Sequence, residues 1–337
     1  MADVSTKYMG IPLKNPLIVG ACSLTSNMDA IRKIEEKGAG ALVIKSLFEE
    51  QVAYQRYAHD EDLELYDNWH AEMTTIFPKA EHAGPEEHLM WTQRAKESVS
   101  IPVIASLNAM NTQTWADWAV KLAETGVDGL ELNFFALPDD LEADGQALEN
   151  QQIEAVKAVK KAVKIPVSVK LSPMYTSPVS FMKKLEAAGV DGLVLFNRFF
   201  HPAINIDTQV SSYPFNLTSS ADHNLPLRFV SMLHGKIKPS LCASNGIHTS
   251  KEAVEMLLAG ADVFQVVSTL YLNKIGQINT ILDGITQWMD SKGYTSLDDF
   301  KGTLSEAKNP AASTYKRAQY VRMLLRSNDY VSRPSLI

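Results

Sequence analysis

Cysteine is nearly absent from this chain, with Cys22 and Cys242 the only two in 337 residues. Two thiols cannot build a disulfide framework, nor supply the four thiolates that an iron–sulfur cluster wants. Redox chemistry here therefore calls for an organic cofactor or a partner chain. Basic charge is also in short supply. Lys and Arg number 32 against 39 Asp and Glu, a formal net charge of −7, which is a poor footprint for following a nucleic-acid backbone. Nucleic acid is not an expected partner. No stretch reaches the roughly 18 uninterrupted apolar residues of a membrane span. The start MADVSTKYMGIPLKNPLIVG has neither a basic segment followed by a long apolar one nor a small-residue cleavage signal. The expectation is a cytoplasmic protein with no membrane association.

What is present is ordinary globular composition, 45% hydrophobic and 21% charged, enough to bury a large core. One short phrase recurs four times, a glycine closing a helical pattern and then an apolar run: KGAGALVIKS (37 to 46), TGVDGLELNF (125 to 134), AGVDGLVLFN (188 to 197) and AGADVFQVVS (259 to 268). A second phrase alternates with it, a proline opening an apolar run: NPLIVGACS (15 to 23), IPVIASLN (101 to 108), IPVSVKLS (165 to 172) and KPSLCASNG (238 to 246). These make eight strand candidates, rich in Val, Ile and Leu with little alternation, as strands buried on both faces should be. Apolar residues at three- and four-residue spacing predict helices over 27–37, 87–99, 112–125, 149–163, 177–188, 249–259 and 272–291. Gly38, Gly126, Gly189 and Gly260 fall where a helix C-cap wants a left-handed residue.

Strands alternating with helices predict a (β/α)8 TIM barrel, with a doubly wound open sheet as the rival. Residues 1–306 are expected to form one barrel and 307–337 a basic C-terminal tail. Two connections, 47–86 and 199–221, are long enough to act as lids, after the second and sixth strands. Both follow strands and so belong on the C-terminal face, where barrel active sites are built. In the tail, Tyr320, Met323 and Leu324 share one helical face, which suits either packing on a neighbouring subunit or a solvated terminus.

A barrel strand interior wants branched apolar side chains, so polar residues at strand ends are the candidates for chemistry. The first strand ends in Ala21, Cys22 and Ser23, the second in Lys45 and Ser46. The third and fourth end in Asn108 and Asn133, the fifth in Lys170 and Ser172, the sixth in Asn197 and Arg198. The last two end in Ser244, Asn245 and Gly246 and in Ser268 and Thr269. An ammonium at the end of a buried strand is costly unless it meets an anion. Lys45 and Lys170 are therefore read as partners of a barrel carboxylate such as Glu131, of an anionic ligand group, of a flavin anion, or as Schiff-base nucleophiles. Asn108, Asn133 and Asn197 offer donors and acceptors suited to the edges of a planar heterocycle. ASNGIHTS (243 to 250) and VVSTL (266 to 270) supply small residues and hydroxyls where barrels bind phosphate, although Val267 stands where a glycine would admit closer backbone approach. His59, His70, His82 and His88 have no metal-ligand spacing at a strand end, and no metal site is expected.

NPLIVGACS, VIKS, ELN, SVKLSP, FN and SNGIHTSKEAVEMLLAGADVFQVVSTLY, in that order from about residue 5 to about residue 305, resemble the dihydroorotate dehydrogenase family. The resemblance implies an FMN-dependent barrel of pyrimidine biosynthesis that oxidises dihydroorotate by hydride transfer to flavin, a small anionic heterocyclic substrate, and a homodimer. It further implies that Ala21, Cys22, Lys45, Ser46, Asn133, Lys170, Phe196, Asn245, Gly246, Val267 and Ser268 contact the cofactor. Lys45, Asn108, Asn133, Asn197 and Arg198 are the corresponding substrate contacts. Where the family carries a cysteine or serine base before proline, this chain reads ELNFFALPDD, with Ala136 at the base position and Leu137 inserted before Pro138. Alanine accepts no proton, and Asp139, Cys22 and His201 are the candidate replacements. The family's asparagine motif after the second strand is missing too; the lid there offers Tyr66, Asp67, Asn68, Trp69 and His70 instead. Dinucleotide-binding glycines are lacking as well, so the electron acceptor is unassigned and a partner protein is a candidate. Two rival readings stand: a flavin-free aldolase or isomerase using Lys170, and an FMN-binding protein without turnover.

Overall fold

The computed structural model describes residues 2–50, 85–109, 111–135, 141–309 and 311–327. The chain opens with an antiparallel hairpin, β1 (Thr6–Tyr8) against β2 (Ile11–Leu13). Eight parallel strands then follow in chain order: β3 (Leu17–Val19), β4 (Ala41–Val43), β6 (Val103–Asn108), β7 (Gly129–Asn133), β8 (Val167–Leu171), β9 (Gly192–Leu195), β12 (Ser240–Ser244) and β13 (Val263–Val266). Each pairs with the next, β4 pairs with β6, and β13 pairs with β3, so the sheet closes on itself as a (β/α)8 barrel. The open-sheet rival is excluded by that closure. A two-residue strand, β5 (Leu47–Phe48), extends the second βα connection along β6.

Helices surround the barrel: α1 (Met28–Glu36), α2 (Pro85–Ser98), α3 (Thr112–Glu124), α4 (Gly145–Ala162), α5 (Pro178–Ala187), α6 (Asn224–Leu233), α7 (Ser250–Ala259), α8 (Ser268–Asn273) and α9 (Gln277–Lys292). Three differences from the sequence reading have local causes. The helix expected over 272–291 is two, because Lys274 takes φ 66° and breaks the run between α8 and α9. The helix expected from 149 starts at Gly145, where Asp144 accepts the Gln146 N–H and caps it. Helix α6 and the hairpin β1–β2 were not anticipated at all.

Most of the lid expected over 47–86 lies outside the described residues. The second long connection carries a small hairpin, β10 (Ala203–Asn205) with β11 (Val210–Ser212), and a short 3-10 turn at Ser220–His223. Beyond the barrel, α10 (Arg317–Leu325) forms the tail helix, tied at its base by Lys316 to Glu306 at 2.9 Å and by Arg228 to the Tyr315 carbonyl at 3.2 Å.

Alternation along each strand sorts the core into two regions. Outward residues such as Leu42, Leu130, Val169 and Leu193 are fully buried under the helices. Inward residues Ile18, Val43, Ile104, Val194, Cys242 and Val263 pack around Tyr8 and Met9 from the N-terminal hairpin, which plugs one end of the barrel. Glycine at 129 and 192 makes room for the plug: a Cβ there would lie 3.1 Å and 2.9 Å from the Met9 side chain. The other end is left open and polar. No helix among the described residues is long and apolar enough to cross a membrane.

Candidate functional site

The open end leads into a cavity of about 700 Å³ lined by the C-terminal ends of β3, β4, β7, β8, β9, β12 and β13 and by residues of the second long connection. Its floor is a buried polar triad. Lys170 on β8 donates from Nζ to Gln265 Oε1 on β13 at 3.0 Å, and Gln265 Nε2 donates to Glu131 Oε2 on β7 at 2.5 Å. Glu131 Oε1 lies 4.0 Å from the Lys170 ammonium and is buried without a hydrogen-bond partner. Burial pushes the Glu131 carboxyl above its ordinary range, with Lys170 and then Gln265 pulling the other way. The expected contact between Lys170 and Glu131 is thus present, bridged by a glutamine that apolar patterning alone gave no reason to single out.

Above the floor, amides are chained. Asn108 Nδ2 donates to the Asn133 carbonyl at 2.9 Å, Asn197 Nδ2 to Asn133 Oδ1 at 2.5 Å, and Asn245 Nδ2 to the Asn197 carbonyl at 3.1 Å. These bonds fix the flips of the amides, and the Arg198 N–H, donating to Asn197 Oδ1 at 2.9 Å, holds the second edge of Asn197 as well. Ser46 Oγ and Ser106 Oγ lie 2.7 Å apart beside them.

One wall is built by the last two βα connections. Asn245 and Gly246 both take left-handed backbone, φ 81° and 71°. A Cβ at 246 would stand 2.1 Å from the His223 backbone nitrogen, so only glycine lets this turn pack under the second long connection. The same connection is tied to the neighbouring turn, where the Thr218 N–H donates to Ser268 Oγ at 3.1 Å. Thr218 Oγ1 also lies 3.0 Å from His248 Nε2.

At the mouth, Lys45 is exposed rather than buried, so the desolvation cost anticipated for it falls on Lys170 alone. Arg198 lines the cavity with Nη1 3.6 Å from Asp222 Oδ1 and Nη2 3.4 Å from the Leu217 carbonyl. Phe200 lies tilted against Phe215 with ring centroids 5.3 Å apart, and Phe215 meets the Tyr271 ring edge-on at 6.0 Å. Phe200 and Phe215 come from the second long connection, where the lid argument points, and Tyr271 comes from helix α8.

The cavity gathers Ala21, Cys22, Lys45, Ser46, Asn133 and Lys170 from the first five barrel strands. From the last three it gathers Asn197, Arg198, Asn245, Gly246, Val267 and Ser268. Two candidates stand apart from the lining. Phe196 is turned into the core, ring edge to Phe229 at 5.3 Å, and Asn108 acts through its bond to Asn133. Ala136, Leu137, Pro138 and Asp139 lie outside the described residues. Burial pushes the Cys22 thiol up, which makes it a poor proton acceptor; His201 sits on the Phe199 ring at 5.8 Å. Burial, with Lys45 nearby, pushes His88 down to about 4. Among the described residues no cluster of His, Cys, Asp and Glu could hold a metal ion.

Comparison with known proteins assigns the barrel to a family. The dihydroorotate dehydrogenase family profile matches residues 81–289. The catalytic subunit of dihydroorotate dehydrogenase B (NAD(+)) from Pyrococcus abyssi is 31% identical over 307 residues, covering 89% of this chain and 98% of that protein. The catalytic subunit of the same name from Methanosarcina mazei is 30% identical over 307 residues, covering 88% and 94%. That from Thermoplasma volcanium is 28% identical over 313 residues, covering 90% and 98%. With more than half its length matched by the family profile and a relative above the 30% level along nearly the whole barrel, this chain belongs to the dihydroorotate dehydrogenase family.

Proposed function

We propose that the protein is an FMN-dependent oxidoreductase of CH–CH bonds, acting on dihydroorotate or a related dihydropyrimidine-like anion, in a single barrel (1–306) followed by a basic tail (307–337). The observation that carries this reading is the cationic floor, Lys170 held by Gln265 and Glu131, beneath chained amides and beside a glycine-dependent turn. The residues present fit a flavin mononucleotide. The Asn245–Gly246 turn lines the cavity, and Val267 and Ser268 open a helix with a hydroxyl beside it. Those four residues would hold the phosphate, with Ala21, Cys22 and Ser46 along the ring system and Asn133 and Lys170 at its polar edge. Phe196 would act from behind, through the wall. When bound, the flavin supplies the two-electron acceptor for a hydride.

The chain's own residues orient and balance charge. Lys45, exposed at the mouth, meets the substrate carboxylate. Asn133 and Asn197, fixed against each other, present amide edges to the ring, with Asn108 holding Asn133 and Arg198 adding positive charge at the rim. Lys170 provides positive potential where negative charge gathers. The proton released from the substrate needs an acceptor other than Ala136. The catalytic-subunit names of the relatives support a partner protein carrying electrons onward. We read this chain as cytoplasmic and homodimeric. The Schiff-base reading of Lys170 is disfavoured by the family. The test is the visible spectrum of the purified protein: a yellow chain with about one releasable FMN is expected, and a colourless chain that takes up no added FMN refutes the reading.

A further inference from the structure

Buried side-chain polar atoms normally have at least one hydrogen-bond partner each. Glu131 is fully buried with one, from Gln265, and its second oxygen faces an ammonium at 4.0 Å, too far for a hydrogen bond. Lys170 would gain a direct charge-assisted bond by moving about 1 Å, yet it bonds Gln265 Oε1 instead. The glutamine spans the barrel from β13 to reach both partners, which come from the far strands β7 and β8. It keeps them apart: its carbonyl occupies the ammonium and its amide occupies the carboxylate. The groups facing Glu131 from the other packed elements are Tyr8 on β1 and Cys242 on β12, and burial holds both neutral. Lys170 is therefore the one cation acting on Glu131 among the described residues.

We propose that Glu131 is a positioning residue that, through Gln265, fixes the Lys170 ammonium at the cavity floor and offsets part of its charge, so that it limits how strongly the site stabilises negative charge on a bound ring. The proposal rests on the flavin reading above. Glu131 is fully buried at the cavity floor, its oxygens turned to Lys170 and Gln265. Its effect is electrostatic, since one unit of charge about 10 Å away at an effective dielectric near 20 changes an equilibrium on the order of tenfold.

Sulfite is the probe, because its lone pair adds to an oxidised flavin and leaves the ring negatively charged, with bleaching of the visible band as readout. Flavin-loaded wild type, E131Q, K170M and the E131Q/K170M double variant are titrated from about pH 6 to about pH 9. E131Q should bind sulfite on the order of tenfold tighter at the alkaline end, and its advantage should shrink as pH falls, because the Glu131 carboxyl, raised by burial, takes up a proton and ceases to offset Lys170. K170M should bind sulfite more weakly, and E131Q should add nothing in that background, because the buried Glu131 carboxyl, deprived of the cation that holds it ionised, takes up a proton and carries no charge to remove. Equal sulfite affinity in wild type and E131Q at every pH overturns the proposal, as does the same E131Q effect with and without Lys170. If E131Q does not retain flavin, Gln265→Met decides. It keeps both charges and lets them close, so weaker sulfite binding supports the proposal and unchanged binding overturns it. A wild-type chain that takes up no flavin defeats the flavin reading itself, whereas failure of Glu131 alone appears only in loaded protein.

Discussion

A methyl group at position 246 would stand 2.1 Å from the His223 nitrogen and 2.7 Å from the Asp222 carbonyl carbon, on a residue already at φ 71°. Neither neighbour is a flexible side-chain end that can swing away. Gly246→Ala should displace the Asn245 turn and the Ser220–His223 segment together, costing about 1–3 kcal/mol from backbone strain. FMN affinity is expected to fall by an order of magnitude or more, measured by fluorescence of released flavin, while the far-UV circular dichroism stays that of the wild type. A second residue-scale expectation concerns Ala136. A positioned base supplies about 10² to 10⁴ in rate, roughly 3 to 5 kcal/mol of barrier, and alanine supplies none. Stopped-flow bleaching of the flavin by dihydroorotate should therefore be slow although FMN binds well. Rapid bleaching would reveal a substitute base. Ala136→Cys should accelerate the reaction if the backbone still presents that position to the substrate carbon.

At the scale of elements, the repeated phrase carries more than a glycine and a strand. In three of its copies an aspartate precedes the strand and serves its neighbour. Asp128 accepts the Val103 N–H at 2.7 Å and the Lys96 ammonium at 2.7 Å. Asp191 accepts from Val167 at 2.7 Å and Lys160 at 2.5 Å, and Asp262 from Leu241 at 2.9 Å and Lys301 at 3.1 Å. Each pins the start of one strand to the next and to a flanking lysine. Asp191→Ala should cost about 1–3 kcal/mol, because the Val167 N–H is left buried and unpaired. Asp191→Asn, which keeps an acceptor, should lose less; urea denaturation separates the two.

The eight strands were legible because each is a short run rich in Val, Ile and Leu flanked by glycine or proline. Helix α6 was not, since NLPLRFVSML follows a long lid and carries Pro226 inside the run. The β1–β2 hairpin escaped because three-residue strands fall below any periodicity. At the site, strand-end position found Lys170 and the amides, while Gln265 passed as one polar residue inside AGADVFQVVS. Its signal was parity: like Lys170 and Glu131, it alternates with outward apolar residues, which turns all three toward one axis.

For the whole molecule, apolar surface is distributed unevenly. The tail helix α10 buries none of its residues, leaving Tyr320 61%, Met323 45% and Leu324 57% exposed. Its base is nonetheless fixed to the barrel, through Lys316 to Glu306 and through Tyr315 OH to the Leu304 carbonyl at 2.8 Å. A helix held at one end with an uncovered apolar face and basic flanks, Arg317, Arg322 and Arg326, suits docking on a second copy of a chain whose net charge is −7. Each such side chain contributes about 1.5–3 kcal/mol when fully buried, so three of them outweigh the roughly 1 kcal/mol of an exposed ion pair and should decide the association. Removing residues 317–337 is therefore expected to shift the protein toward a smaller species in sedimentation velocity, with a lower melting temperature that depends on protein concentration in the full-length chain and not in the truncated one. The barrel core stays intact in the truncated chain, because no core cluster includes a residue beyond Phe300. If sedimentation and melting are both unchanged, the apolar face of α10 is solvated and the basic tail has no part in assembly.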